Sequence, residues 1–126
     1  MSTYRDAGGT GKLLLQVHLS WDPDEDTALR IAYDQWRCGV LGPPVSWDLE
    51  TVEHFDTATR HISPEVLREH VLISSDLDQH AAWLTELAEL GFDELYLHHV
   101  GQEQRAFVDA FGARVLPKLD VTPPAR

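Results

Sequence analysis

Sulfur and positive charge are both scarce in this chain of 126 residues, which has one cysteine and one methionine. The lone Cys38 excludes an internal disulfide and suits a reducing compartment. Beside Gly39 at the end of a predicted helix, it reads as a packing thiol rather than a nucleophile. Ten Lys and Arg stand against 21 Asp and Glu, a formal net charge of −11. The chain therefore has no long-range attraction for phosphate backbones or anionic lipid, and neither nucleic acid nor membrane is an expected partner. No run approaches the roughly 20 apolar residues of a membrane span. The short Leu13–Leu15 stretch is neither the core of a secretion signal nor followed by a cleavage-like site. A cytoplasmic location is expected. What remains is 43% hydrophobic content, enough for one packed core, and a length that fits one domain or a piece of one.

One pattern occurs twice. An apolar strand ends in polar residues and turns straight into an acidic helix, as LLLQVHLSWDPDEDTALRIAYDQW (Leu13 to Trp36) and again as FDELYLHHVGQEQRAFVDAF (Phe92 to Phe111). Parallel α/β proteins build their sites where strand carboxyl ends meet helix amino ends, because loop side chains, helix dipoles and free N–H groups converge there. The pattern points to an enzyme-type scaffold.

Residues 1–12 (MSTYRDAGGTGK) are small, polar and Gly-rich and are expected as a mobile lead-in. In Leu13 to Trp21, Gln16, His18 and Ser20 alternate with Leu15, Val17 and Leu19, which predicts a strand with one polar and one apolar face. Asp22 is the expected N-cap of the next helix, with Pro23 at its first position and Glu25 placed to reach back. Leu29, Ala32, Tyr33 and Trp36 mark its buried stripe. CGVLGPPVSWD then reads as an inserted loop. A helix after Asp48 is expected to turn Leu49, Val52 and Phe55 inward, and a shorter one to begin at Ser63-Pro64. Val71-Leu72-Ile73 is either a third strand or a buried extended link. Asp76 with Gln79 caps a helix whose inner face is Leu77, Ala81, Leu84 and Ala88, and Gly91 stops it. Glu94 to Val100 is the second clear strand, and Gly101 opens a helix with Phe107, Ala110, Phe111 and Val115 inward. The domain is placed at 13–119 and a frayed tail at 120–126.

The stretches VHLSWDPDEDTALRIAYDQW, PPVSWDLE and HVLISSDLDQHAAWLTELAELGFDELYLHHVGQEQRAFVDAFGARVLPKL resemble the C-terminal part of luciferase-like oxidoreductases of the bacterial luciferase superfamily. The likeness is to their deazaflavin-dependent branch, related to sugar-phosphate dehydrogenases. It runs from about Tyr4 to Leu119, and Ser20-Trp21-Asp22-Pro23-Asp24 and Gly101-Gln102-Glu103-Gln104-Arg105-Ala106-Phe107 are its most specific parts. The resemblance implies an α/β fold, the C-terminal portion of a (β/α)8 TIM barrel, here reduced to two clear parallel strands, a possible third, and four to five helices. It implies an oxidoreductase or monooxygenase using deazaflavin (coenzyme F-420) or FMN for hydride transfer to or from a small organic substrate. The residues that hold the coenzyme and donate the catalytic proton lie in the family mostly before this segment. The chain alone is therefore expected to bind no coenzyme and to be inactive, and its expected partner is either a complementary N-terminal barrel part or another copy of itself. The alternative is a non-catalytic self-associating assembly or binding module derived from that barrel. The sugar-phosphate branch holds its phosphate with basic side chains of the insertion, whereas Cys38 to Thr59 contains no Lys or Arg, which argues against a phosphorylated sugar.

Gln16, His18, Ser20, Tyr96 and His98 are predicted on one strand face, which in a barrel points inward toward ligand and otherwise is a solvated or hydrogen-bonded face. Trp21 and Trp47, beside the strand ends, are candidate pocket walls, with core packing the other reading of Trp21. Trp36 and Trp83 are read as packing residues. The acidic run Asp22-Asp24-Glu25-Asp26 is explained by the helix dipole. His98-His99 invites a metal reading, but neighbouring strand residues point to opposite faces, so no metal is expected. No catalytic residue is assigned.

Overall fold

The alternating segment forms strand β1, Leu14–Ser20, in the computed structural model, which describes residues 2–119. Strand β3, Glu94–His99, runs parallel along one edge of β1 in a register from Leu14↔Glu94 to Leu19↔His99. Val71-Leu72-Ile73 resolves into a short strand, β2, Leu72–Ile73. It pairs with the other edge of β1 at Leu19↔Leu72 and Ser20↔Ile73, so the strand order is β2-β1-β3. The result is an α/β architecture on a three-stranded parallel sheet, compatible with part of an α/β barrel.

The pleat sorts the side chains as the alternation predicts. Leu15, Val17, Leu19, Leu95 and Leu97 share one face, where they pack with Ala81 and Leu84 of α5 (Leu77–Glu89) and Phe107 and Phe111 of α6 (Gln104–Arg114). Gln16, His18 and Ser20 lie on the other face opposite Tyr96 and His98. The carboxyl half of that second face is not open. Helix α2, Glu25–Trp36, lays Ala28 and Ala32 against Leu67, Val71, Ile73 and Val100. The sheet thus carries helices on both faces. The step from β1 to β2 and the return from β2 across β1 to β3 run in opposite directions, so placing α2 and α5 on opposite faces gives the two crossovers one hand, as chain chirality requires.

Several local expectations shift. The N-cap of α2 is Asp24, not Asp22: its carboxylate accepts from the Thr27 N–H at 2.9 Å, while Asp22 accepts the Asp24 N–H at 3.0 Å in a turn through Pro23. Glu25 does not reach back. It accepts the Ser75 N–H at 2.5 Å and pairs with Arg68 at 3.1 Å, joining the start of α2 to the exit of β2. Asp76 caps α5 as predicted, accepting from Asp78 N–H, but the return partner is the Ser74 hydroxyl, which accepts the Asp76 N–H at 3.0 Å. The inner face of α5 closes with Leu87 rather than Ala88, which is exposed, because Leu84 and Leu87 span one turn toward the sheet. Gly91 ends α5 with φ +87°. Within the inserted segment a short α3, Val45–Asp48, precedes α4, Val52–Thr59. Val52 there is 74% exposed, since it begins α4 at the rim instead of facing the core. In the lead-in, α1 covers Ser2–Asp6, and Arg5 donates to the carbonyls of Gly9 at 3.0 Å and Gly11 at 2.9 Å. The expected 120–126 tail lies outside the described residues.

Candidate functional site

The parallel register sets His18 of β1 directly beside His98 of β3. Their Nδ1 atoms meet at 2.9 Å, so one ring donates an Nδ1–H and the other accepts with a bare Nδ1. Trp36, the last residue of α2, closes over the pair. Its indole centroid lies 4.7 Å from the His18 ring and 5.0 Å from that of His98. Gly39 is required just beyond, because a Cβ there would run into the Trp36 indole. Both imidazoles are half-buried. Burial, with the nearby His98 charge as a second cause, holds His18 below the ordinary imidazole range, which keeps it neutral near pH 7.

Toward the amino ends of the strands the same face opens into a shallow depression lined by Leu14, Gln16, Tyr96, Leu97 and His98. Tyr96 is 53% exposed. Its hydroxyl donates to Glu94 at 2.9 Å, and Glu94 also pairs with Lys12. The hydrogen bond and charge of Glu94 push Lys12 and Tyr96 up, and Lys12 in turn pulls Glu94 down.

The predicted site residues thus separate. Gln16, His18, Tyr96 and His98 come together as one strip. Ser20 has the right parity but is fully buried under α2, donating to the Ala28 carbonyl at 2.7 Å, so it does not face a ligand. Trp21 is on the helix-covered side, its indole N–H bonded to the Ser75 carbonyl at 3.1 Å and its ring edge-on to Phe111. Trp47 stands in α3, 78% exposed and away from the strip. Trp36, read as packing, does pack against the cluster of Ala28, Ala32 and Leu67, and its ring also covers the His18–His98 pair. Its position at the end of an i, i+3, i+4, i+7 stripe signals a buried face, but nothing local says which sheet face it meets.

His98 and His99 fall on opposite faces, as the pleat demands: His98 lies against Trp36, whereas His99 stacks on Phe107 at 4.9 Å. His80, on α5, is wholly buried between Trp83 and Phe111, with its Nε2 3.0 Å from the Ser74 carbonyl. Among the described residues the Nδ1 atoms of His80 and His99 have no partner, and burial depresses both pKa values. Among the described residues, no three His, Cys, Asp or Glu gather to hold an ion. A flavin-type ring needs most of its surface covered, and the strip offers only an open floor roofed at one end by Trp36, so the residues present do not fit such a coenzyme.

No protein-family model matches the chain. It is similar to curated proteins named F420-dependent glucose-6-phosphate dehydrogenase. That of Microbacterium testaceum is 26% identical over 106 residues, 84% of this chain and 31% of the relative. That of Beutenbergia cavernae is 25% identical over 107 residues, 85% of this chain and 32% of the relative. That of Segniliparus rotundus is 28% identical over 115 residues, 91% of this chain and 34% of the relative. The chain spans about a third of the length of the curated relatives it matches.

Proposed function

We propose that this chain is the carboxyl-terminal part of a luciferase-like (β/α)8 oxidoreductase that uses reduced deazaflavin, or flavin, for hydride transfer to or from a small organic substrate. In this reading 13–119 is the barrel portion, β1 and β3 are neighbouring barrel strands, and β2 is a stub on the outer edge. The observation that carries it is the likeness to deazaflavin-dependent dehydrogenases over 84% or more of this chain and only about a third of theirs. Gln16, His18, Tyr96 and His98 would then line the interior, with α2 covering the rest of that face. No catalytic step is assigned to residues of this chain. Its share of the site is wall and floor, and the residues that hold the ring and donate the proton would lie in the amino-terminal part of the barrel. A non-phosphorylated substrate fits best, since 38–59 has no Lys or Arg and the adjoining Arg37 is tied to Asp56 at 2.6 Å.

A second reading, a self-associating assembly module, is favoured by the outer edge of β3. Tyr96 on that strand is 53% exposed and Leu14 on the neighbouring β1 is 52% exposed, and a strand edge with no partner, as here among the described residues, is seldom left uncovered. Affinity purification of the tagged chain from its native host separates the two. The oxidoreductase reading expects a second α/β polypeptide and deazaflavin or flavin absorbance in the eluate. Recovery of the chain by itself or as a homo-oligomer, colourless, overturns that reading in favour of the module.

A further inference from the structure

We propose that the outer edge of β3 pairs antiparallel with β3 of a second copy of this chain, in the register that places Tyr96 on the two-fold axis and Glu94 opposite His98. The proposal deepens the self-associating reading and rests on it. The backbone groups select the register. In a parallel ladder, alternate residues of a strand turn their N–H and C=O to alternate sides. The Val100 N–H donates to the Leu19 carbonyl at 2.9 Å, so the even-numbered residues of β3 face β1, and Leu95, Leu97 and His99 face outward. The outward carbonyl of His99 already accepts from the Gln104 side chain at 3.0 Å. Leu95 and Leu97 therefore keep both backbone groups for a further strand, and among the described residues no strand meets them. Antiparallel pairing sets outward residue against outward residue, which leaves two symmetric registers centred on this stretch. With Leu97 on the axis, each Leu95 meets a His99 whose carbonyl is taken. With Tyr96 on the axis, each Leu95 meets a Leu97 of the second copy, and both pairs exchange N–H and C=O in full.

The side chains select the same register. On the polar face each Glu94 stands directly opposite His98 of the second copy, and the two Tyr96 rings meet between these pairs. Such non-hydrogen-bonded positions bring side chains closest in an antiparallel sheet, and aromatic or opposite-charge pairs there are favourable. The His98 Nδ1 is engaged by His18, so its Nε2 is the atom left for the Glu94 carboxylate. In the other register Glu94 faces Val100, which offers it nothing. Asp93 and Glu94 are already paired with Arg5 at 3.5 Å and with Lys12, so the net charge of −11 is not concentrated at this edge. On the opposite face, Phe107 and Phe111 hold α6 in one cluster with Val17 and Leu19 of β1, inward of the edge. The contact is isologous and closes as a dimer, in which the two three-stranded sheets join through β3.

Light scattering of the full chain, combined with cysteine cross-linking in a Cys38→Ser background, tests it. The chain is expected to be a dimer at tens of micromolar. Tyr96→Cys should then form a covalent dimer under oxidised glutathione, because the two Cα atoms on the axis stand about 4.5 Å apart, within disulfide reach. Glu94→Cys and His98→Cys should each cross-link poorly alone and give the mixed dimer when combined, which probes the register without removing Tyr96. A chain that stays monomeric, or that is held on this edge by a different polypeptide, overturns the self-associating reading and this interface with it. A dimer that forms neither the Tyr96→Cys cross-link nor the mixed one leaves self-association standing and overturns the interface proposed.

Discussion

Ser20 and Gln16 have the same strand parity but opposite surroundings, and the difference sets what each can do. The Ser20 hydroxyl is sealed against α2 and bonded to the Ala28 carbonyl at 2.7 Å. Because that carbonyl also lies within a helix and accepts along its ladder, Ser20→Ala is expected to cost about 1 kcal/mol, the net worth of one buried hydrogen bond. Urea denaturation checks it, and a loss near zero would mean that the bond contributes nothing. His80 and His99 make stability depend on pH. Burial lowers both pKa values, so the unfolded chain binds more protons once pH falls below its own imidazole range of about 6.5. Their contribution is fully present above that value and is lost as pH drops toward their depressed folded values. The urea midpoint should therefore fall between about pH 7.5 and about pH 5.5, and less steeply in His80→Gln. The carboxylates pulled down by their hydrogen bonds, Asp24, Glu25 and Asp78, act in a separate window, stabilising above about pH 4.3 and losing that effect in acid.

Two glycines at the scale of the helix have opposite expected outcomes. Gly91 follows the last turn of α5 at φ +87°, a conformation in which a Cβ collides with the backbone, so Gly91→Ala should destabilise by about 1–2 kcal/mol. Gly112 lies inside α6, and a Cβ there would meet nothing within 4 Å. Gly112→Ala should stabilise by up to about 1 kcal/mol through helix propensity and a less flexible unfolded chain. Thermal melts of the two variants should move in opposite directions, and a common direction would refute the helix-end assignment. The caps of α2 and α5 were readable as a class, since an Asp opens each, whereas the Thr51 cap of α4 was not read from the sequence. The choice of Asp24 over Asp22, and of Ser74 as the return partner at α5, was not legible either. Those bonds depend on how the chain leaves β1 and β2, and Glu25 is taken up by Ser75, far away in sequence.

For the molecule as a whole, the sheet is covered on one face by α5 and α6 and on the other only at its carboxyl half by α2. Among the described residues nothing covers the amino half of the strip or pairs with the outer edge of β3, and Leu14 and Tyr96 are exposed. Two exposed large side chains near a strand edge with no partner among the described residues favour association. Light scattering is expected to give a mass above the 14.2 kDa of one chain at tens of micromolar, and Leu14→Lys with Tyr96→Lys should move it back toward that value. A monomeric wild type at that concentration would contradict this, and so would an oligomer indifferent to both substitutions.

Alternation by itself determined which side chains share a face: Gln16, His18, Ser20, Tyr96 and His98 on one side, Leu15, Val17, Leu95 and Leu97 on the other. A period of two is a property of successive residues, and a slip of one would bury the polar set. Helix stripes, the Asp76 cap and the Gly91 stop were legible for the same reason, being written within a few neighbouring positions. Only the tertiary structure decided that the carboxyl half of the polar face is roofed, that Ser20 is sealed, and that Trp36 lies over His18 and His98. Those outcomes follow from the edge of β1 on which β2 docks, because that choice sends α2 to the opposite side from α5. Edge choice is a long-range pairing between segments, and no local periodicity carries it.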